Sequence, residues 1–183
     1  MNDFLLYRMA LTAAALAEAG GALWLMRRKP EDTAQTDKIP REKYTGIVLG
    51  FFALLWCVPY AKPIVFDWML PLLYPLAAVL AVLGWFFLDY LLSRALGGIL
   101  ILSAYFFVHG GFEFHTPYLA GFSILYWLLG TAGIAFSGKP CWMRDFLRCC
   151  CRKRVWRIGA GVFLLVLAAA SLFAAVFSAG AAE

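Results

Sequence analysis

Charge is scarce in this chain, and so are the motifs that organise chemistry around charge. Only 15% of the 183 residues are charged, against about 25% in an ordinary soluble domain. There is no Walker loop to cradle phosphates, no dinucleotide fingerprint, no Gly-x-Ser-x-Gly and no His-Glu-x-x-His. The two histidines cannot supply the facing pairs that hold haem in a membrane bundle. The five cysteines form no Cys-x-x-Cys pair, which removes the usual thiol redox and zinc signatures. Enzyme chemistry is therefore the minority expectation, and no cofactor is expected.

What fills the space is apolar. Hydrophobic residues make up 63% of the chain, well above the ~45–50% of soluble domains. A chain this short cannot hide that excess in a core, because so much of its surface stays outside. Lipid is the solvent that accepts it, and only helices or closed barrels satisfy the backbone there. The apolar runs are continuous rather than alternating, which selects helices. Six are expected, at Phe4–Met26, Tyr44–Tyr60, Met69–Leu92, Ala95–His109, Tyr118–Ser137 and Ile158–Ala179. The fold class is thus an all-α integral membrane helical bundle, a single transmembrane domain over residues 1–183 with no soluble domain. Ala15-Leu16-Ala17 before Glu18 has the small residues of a signal-peptide cleavage site. The apolar run continues to Met26, however, and Arg27-Arg28-Lys29 follows it as a stop-transfer flank, so the segment is read as a retained span.

Positive charge gathers on the cytoplasmic side of short loops. Fourteen of the sixteen Lys and Arg residues fall in 27–43, at Arg94, or in 139–157. The alternation predicts basic inner loops at 27–43 and 139–157 and both termini outside the cytoplasm. The expected location is a multi-pass position in a bacterial inner membrane or its equivalent. The net charge of +5 is then a matter of topology and anionic lipid, not of a nucleic-acid partner, which would need a basic face on a folded surface.

The first and sixth segments are rich in small residues, among them Ala14, Ala17, Gly20, Gly21 and Ala22, and Ala168, Ser171, Ala174 and Ala175. Small residues let helices approach closely in lipid. These two segments are expected to pack together, or to carry the faces of a homo-oligomer or larger membrane complex. The second and fourth segments are short, and each ends at a helix breaker, Val58-Pro59 and Gly110-Gly111. Trp24, Trp68, Trp142 and Trp156 lie near segment ends, where indole rings favour the headgroup zone.

Glu18 is the sharpest single residue. It sits near the middle of the first segment, where a carboxylate costs about 2.5–3.5 kcal/mol or more to insert. Helical spacing places it on the small-residue stripe, facing other helices. Two roles fit: a site that trades protons or cations, or a protonated group hydrogen-bonded to a neighbour. The stretch Leu16-Ala17-Glu18-Ala19-Gly20-Gly21 with Trp24 resembles the first helix of small multidrug-resistance transporters. The resemblance covers about one helix; those proteins have four helices and are shorter, and nothing after Lys29 is similar to them. What it implies concerns Glu18 alone.

His109, Glu113 and His115 cluster in HGGFEFHTP, read as an outer loop whose ligand types suit a transition metal. Its spacing matches no standard site, and a fourth ligand is missing. Asp89 and Arg94 flank an inner turn and are expected to form a local ion pair or cap at the interface. The segment CWMRDFLRCCCRKRVWR predicts an interfacial helix with Arg144, Arg148 and Arg152 on one face. With Lys153 and Arg154 these residues are expected to bind anionic headgroups, making membrane lipids the first partner. Cys149, Cys150 and Cys151 read mostly as inert thiols. The leading functional expectation is a non-enzymatic accessory or structural subunit of a membrane assembly. The alternative is a small proton- or cation-coupled transporter or channel using Glu18, and the third is a metal- or ligand-binding protein using the His-Gly-Gly loop.

Overall fold

A computed structural model describes residues 3–116 and 118–178. Among them the protein is all-α. In chain order come α1 (Asp3–Met26), α2 (Thr33–Thr36), α3 (Lys43–Ala61), α4 (Leu73–Phe87), α5 (Leu91–Glu113), α6 (Leu119–Gly138), α7 (Pro140–Arg152) and α8 (Arg154–Phe177). Six helical stretches are long and apolar enough to cross a membrane: α1, α3, Asp67–Phe87, α5, α6 and α8. The chain is a polytopic membrane protein.

Several boundaries differ from those expected of the sequence. The third span ends at Phe87, not Leu92, and starts as a 3-10 helix over Asp67–Leu72 that carries Pro71. The break comes from Tyr90, whose φ of 57° is left-handed and costly for a side chain of this size. Arg41 contacts its side chain, donating to the Tyr90 hydroxyl at 2.7 Å and lying over its ring at 4.9 Å. The fourth span is longer than expected at both ends, so Gly110 and Gly111 are helical rather than helix-ending. Their missing side chains are used for contact. A Cβ on Gly110 would fall 2.5 Å from the Tyr7 ring, and one on Gly111 would fall 2.9 Å from Leu119. The second span likewise runs through Pro59, which sits in its last turn. Asp89 and Arg94 do not pair. Arg94 donates instead to the Ser137 carbonyl at 3.2 Å. The expected end of the last span, Ala179, lies outside the described residues, and α8 closes at Phe177.

The chain divides into two compact units. The first comprises the described residues of Met1–Thr33, Ser103–Leu129 and Leu147–Glu183. Its main event is the antiparallel packing of α1 on α8. Arg8 Nε donates to the Ala175 carbonyl at 2.6 Å, Gly21 faces Leu164, Gly161 faces Met26, and Arg157 Nη1 donates to the Arg28 carbonyl at 2.6 Å. Arg8 thereby brings a cation to the carbonyl-rich end of α8, where the helix dipole favours it. The expected pairing of the first and sixth segments is what the structure shows within this chain.

The second unit comprises Ala34–Leu102 and Gly130–Phe146. Here Gly97 of α5 and Gly133 of α6 bring two backbones together. A Cβ on Gly97 would lie 2.6 Å from the Gly133 carbonyl oxygen, and one on Gly133 would lie 2.7 Å from that of Gly97. Neither atom is the end of a flexible side chain, so the helices themselves would have to part. Gly46 of α3 is similarly pressed on the backbone of Leu91 and Leu92.

The Gly97→Ala variant is expected to lose about 1–3 kcal/mol of stability through this overpacking. Gly121→Ala, where nothing lies within 4 Å, is expected to lose none. Thermal loss of helicity in detergent, followed by circular dichroism, compares the two.

Candidate functional site

The buried residues of α1 are Tyr7, Leu11, Ala15, Ala22 and Leu25. Their spacing of three, four and seven defines one stripe, and Glu18 lies on it, three residues past Ala15 and four before Ala22. On α8 the buried residues are Gly161, Leu167, Ala168, Ser171, Ala174 and Ala175. The two stripes face each other, which brings Ser171 opposite Glu18. Tyr126 reaches the same point from α6.

The three side chains form a closed triangle. The Tyr126 hydroxyl donates to Glu18 Oε1 at 3.1 Å, and the Ser171 hydroxyl lies 3.0 Å from Glu18 Oε2. The two hydroxyls are 2.8 Å apart, and Ser171 Oγ is also 2.9 Å from the Leu167 carbonyl oxygen. Tyr126 and Ser171 are both 0% exposed, so these bonds replace water entirely for them. Four short contacts thus share the two protons that the hydroxyls carry. A proton on the carboxyl would serve a third contact, so the cluster has a place for one.

A second polar string lies in the same unit, beside the ends of α1 and α8 that Arg8 joins. The Tyr7 hydroxyl donates to the Phe107 carbonyl at 3.2 Å and lies 3.4 Å from Thr116 Oγ1. Thr116 Oγ1 is 3.2 Å from Ser178 Oγ, which donates to the Ala174 carbonyl at 2.6 Å. Tyr7, Thr116 and Ser178 are all buried. Aromatic rings pack around both clusters: Phe107 lies 4.9 Å from Tyr126, and Phe122 lies 4.9 Å from it as well.

The other residues singled out in the sequence are placed differently. His109 is exposed and stacks on Tyr105 within α5, with centroids 5.7 Å apart and rings 8° from parallel. Glu113 ends α5, and His115 stands exposed just beyond it with φ 48°. Among the described residues no three His, Cys, Asp or Glu side chains gather as metal ligands. The residues expected at lipid headgroups fall on two elements. Arg144, Arg148 and Arg152 belong to α7, where Arg144 pairs with Asp145 at 3.0 Å. Lys153 is the extended residue that precedes α8, and Arg154 is the first residue of that helix. The same helix buries Met143, Leu147, Cys150 and Cys151. Burial pushes the Cys150 thiol up to about 11, helped by the neighbouring Cys151 and Cys149 and opposed by Arg157. It is a poor nucleophile near neutral pH. All five cysteines are free, with Cys57 and Cys141 exposed.

In the sequence Ser171 reads only as a small packing residue, and Tyr126 stands out for nothing. A signal is nonetheless present in both cases. A hydroxyl in the middle of an apolar span needs a partner, and the unexplained acid in the spans is Glu18.

Comparison with protein-family models, with curated proteins and with solved structures returns no match. The likeness of the first helix to the small multidrug-resistance transporters therefore stands on residues 16–24 alone.

Interhelical hydrogen bonds in lipid are worth about 0.6 kcal/mol on average and at most about 1.7 kcal/mol. Tyr126→Phe and Ser171→Ala should each destabilise the fold by about that much. Because both serve the same carboxyl, the double variant should cost less than the two losses added. Unfolding in mixed micelles measures all three; strict additivity would show that the triangle does not act as a unit.

Proposed function

We propose that this protein is a non-enzymatic structural or accessory subunit of a membrane assembly, with Glu18 as an internal strut. The observation that carries this reading is the occupation of both Glu18 oxygens by hydroxyls of its own bundle. Tyr126 and Ser171 tie α6 and α8 to α1 at mid-span, so the costly carboxyl is spent on joining helices. The basic segments fit the same picture. Arg28 and Arg157 meet at one end of the α1–α8 pair, as expected if 27–43 and 139–157 both face the cytoplasm. That orientation puts α7 against the anionic inner leaflet with its arginines at the headgroups.

A second reading rests on the proton inventory of the triangle. A carboxyl with room for one more proton, held by two hydroxyls, is also the minimum equipment of a proton-coupled carrier. The two readings separate on Glu18→Gln. A glutamine keeps the shape and the hydrogen bonds but cannot exchange a proton. As a strut, the variant should fold, reach the membrane and co-purify with the same larger assembly from native membranes in mild detergent. As a carrier, it should abolish proton-driven solute uptake in proteoliposomes. Isolation of the wild type always alone would count against the subunit reading.

Orientation is checked at Cys141, which is exposed at the start of α7. A membrane-impermeant maleimide should label it in inside-out vesicles and leave it unmodified in intact cells. Labelling from the cell exterior would reverse the map.

A further inference from the structure

The second unit contains a cleft of about 470 Å³ among α3, α4 and α5. This is within the ~300–1,000 Å³ of small-ligand sites. Its walls are apolar almost throughout. Small residues such as Gly50, Ala81 and Gly98 line it, together with Phe51, Leu80 and Ile101. The exception is Arg94, which also lines the cleft. Its Nη1 donates to the Ser137 carbonyl, but its Nε is buried without a partner. No carboxylate pairs with it among the described residues. The expected partner, Asp89, is not there.

A guanidinium half out of water with an open donor is an expensive thing to keep beside an apolar slot. It is one turn from the start of α5, at the depth where a long basic side chain reaches the headgroup zone. An anion joined to an apolar tail meets both halves of the site at once. We infer that this cleft holds one anionic phospholipid, its phosphate on the Arg94 guanidinium and an acyl chain along Gly50, Ala81 and Gly98. The fork of an arginine matches a phosphate, and basic pockets between transmembrane helices are built for such headgroups. The site is separate from the arginine face of α7, which would meet many lipids loosely rather than one lipid in a slot. It is also independent of Glu18, which lies in the other unit.

The experiment is native mass spectrometry of the full chain released from nanodiscs containing dioleoyl phosphatidylglycerol or dioleoyl phosphatidylcholine. Wild type should retain one phosphatidylglycerol at activation energies that strip phosphatidylcholine. Arg94→Gln should weaken that retention about ten-fold, the effect of one charge-assisted hydrogen bond. Gly50→Leu fills the slot without touching the charge; a Cβ there meets Ala95 at an ordinary 3.7 Å. It should also lose the lipid. Arg148→Gln, on α7, should leave the bound lipid in place. Equal retention of the two lipids by wild type, or unchanged retention in a folded Arg94→Gln, would overturn the proposal. If Arg94→Gln does not fold, Gly50→Leu decides: a lipid kept by that variant is not in this cleft.

Discussion

A polar group in hydrocarbon has no water to fall back on, and that constraint orders most of what is seen in this protein. It forces the backbone into helices. It also favours interhelical partners for the mid-span polar side chains Glu18, Tyr126 and Ser171. Glu18 finds two. Among the described residues Tyr126 has only Glu18 and Ser171 as hydroxyl partners, while Ser171 also bonds the Leu167 carbonyl of its own helix. The antiparallel fit of α1 and α8 then has a chemical register as well as a steric one. Glycine and alanine permit the approach, and the triangle fixes where along the helices it occurs.

The same economy explains why glycine recurs at crossings. In water a glycine inside a helix is a weakness. In lipid, where no hydrophobic force presses helices together, the contact itself must supply the attraction. Gly97 against Gly133 lets two backbones meet through their carbonyls, and Gly110 lets the Tyr7 ring lie on α5. The glycines are contact surfaces, which is why two of them in succession do not end the helix.

The spans are legible in the sequence because hydrophobic length is a local property, present at each position. The place of Glu18 on the small-residue stripe is legible for the same reason, since helical spacing alone puts it there. What stays hidden is everything set by distant partners. Leu88–Tyr90 looks like a continuation of the third span because apolar residues flank Asp89 on both sides; the break falls at Tyr90, which meets Arg41, 49 residues earlier in the chain. Tyr126 cannot be matched to Glu18 from the sequence because 108 residues separate them. Gly110-Gly111 resembles a breaker because glycine's freedom and its thinness leave the same mark in a sequence. The local pairing of Asp89 with Arg94 fails because the turn between them is shaped by Tyr90, while Arg94 turns to the end of α6.

Two ionisable groups in the spans have opposite accounts. Glu18 has its oxygens filled by the protein, and the resulting cluster holds helices together whatever else it does. Arg94 keeps a buried donor that the protein leaves open, next to a slot that the protein also leaves open. A bundle that closes one polar site completely and not the other has not merely packed poorly, since the helices around Arg94 approach to backbone contact at Gly46 and Gly97. Of the cleft's three walls, α5 is thus in backbone contact with α3 at Gly46 and with α6 at Gly133. An occupant of the kind proposed would enter a shape that already exists, so the ordering cost of binding would fall on the lipid rather than on the helices.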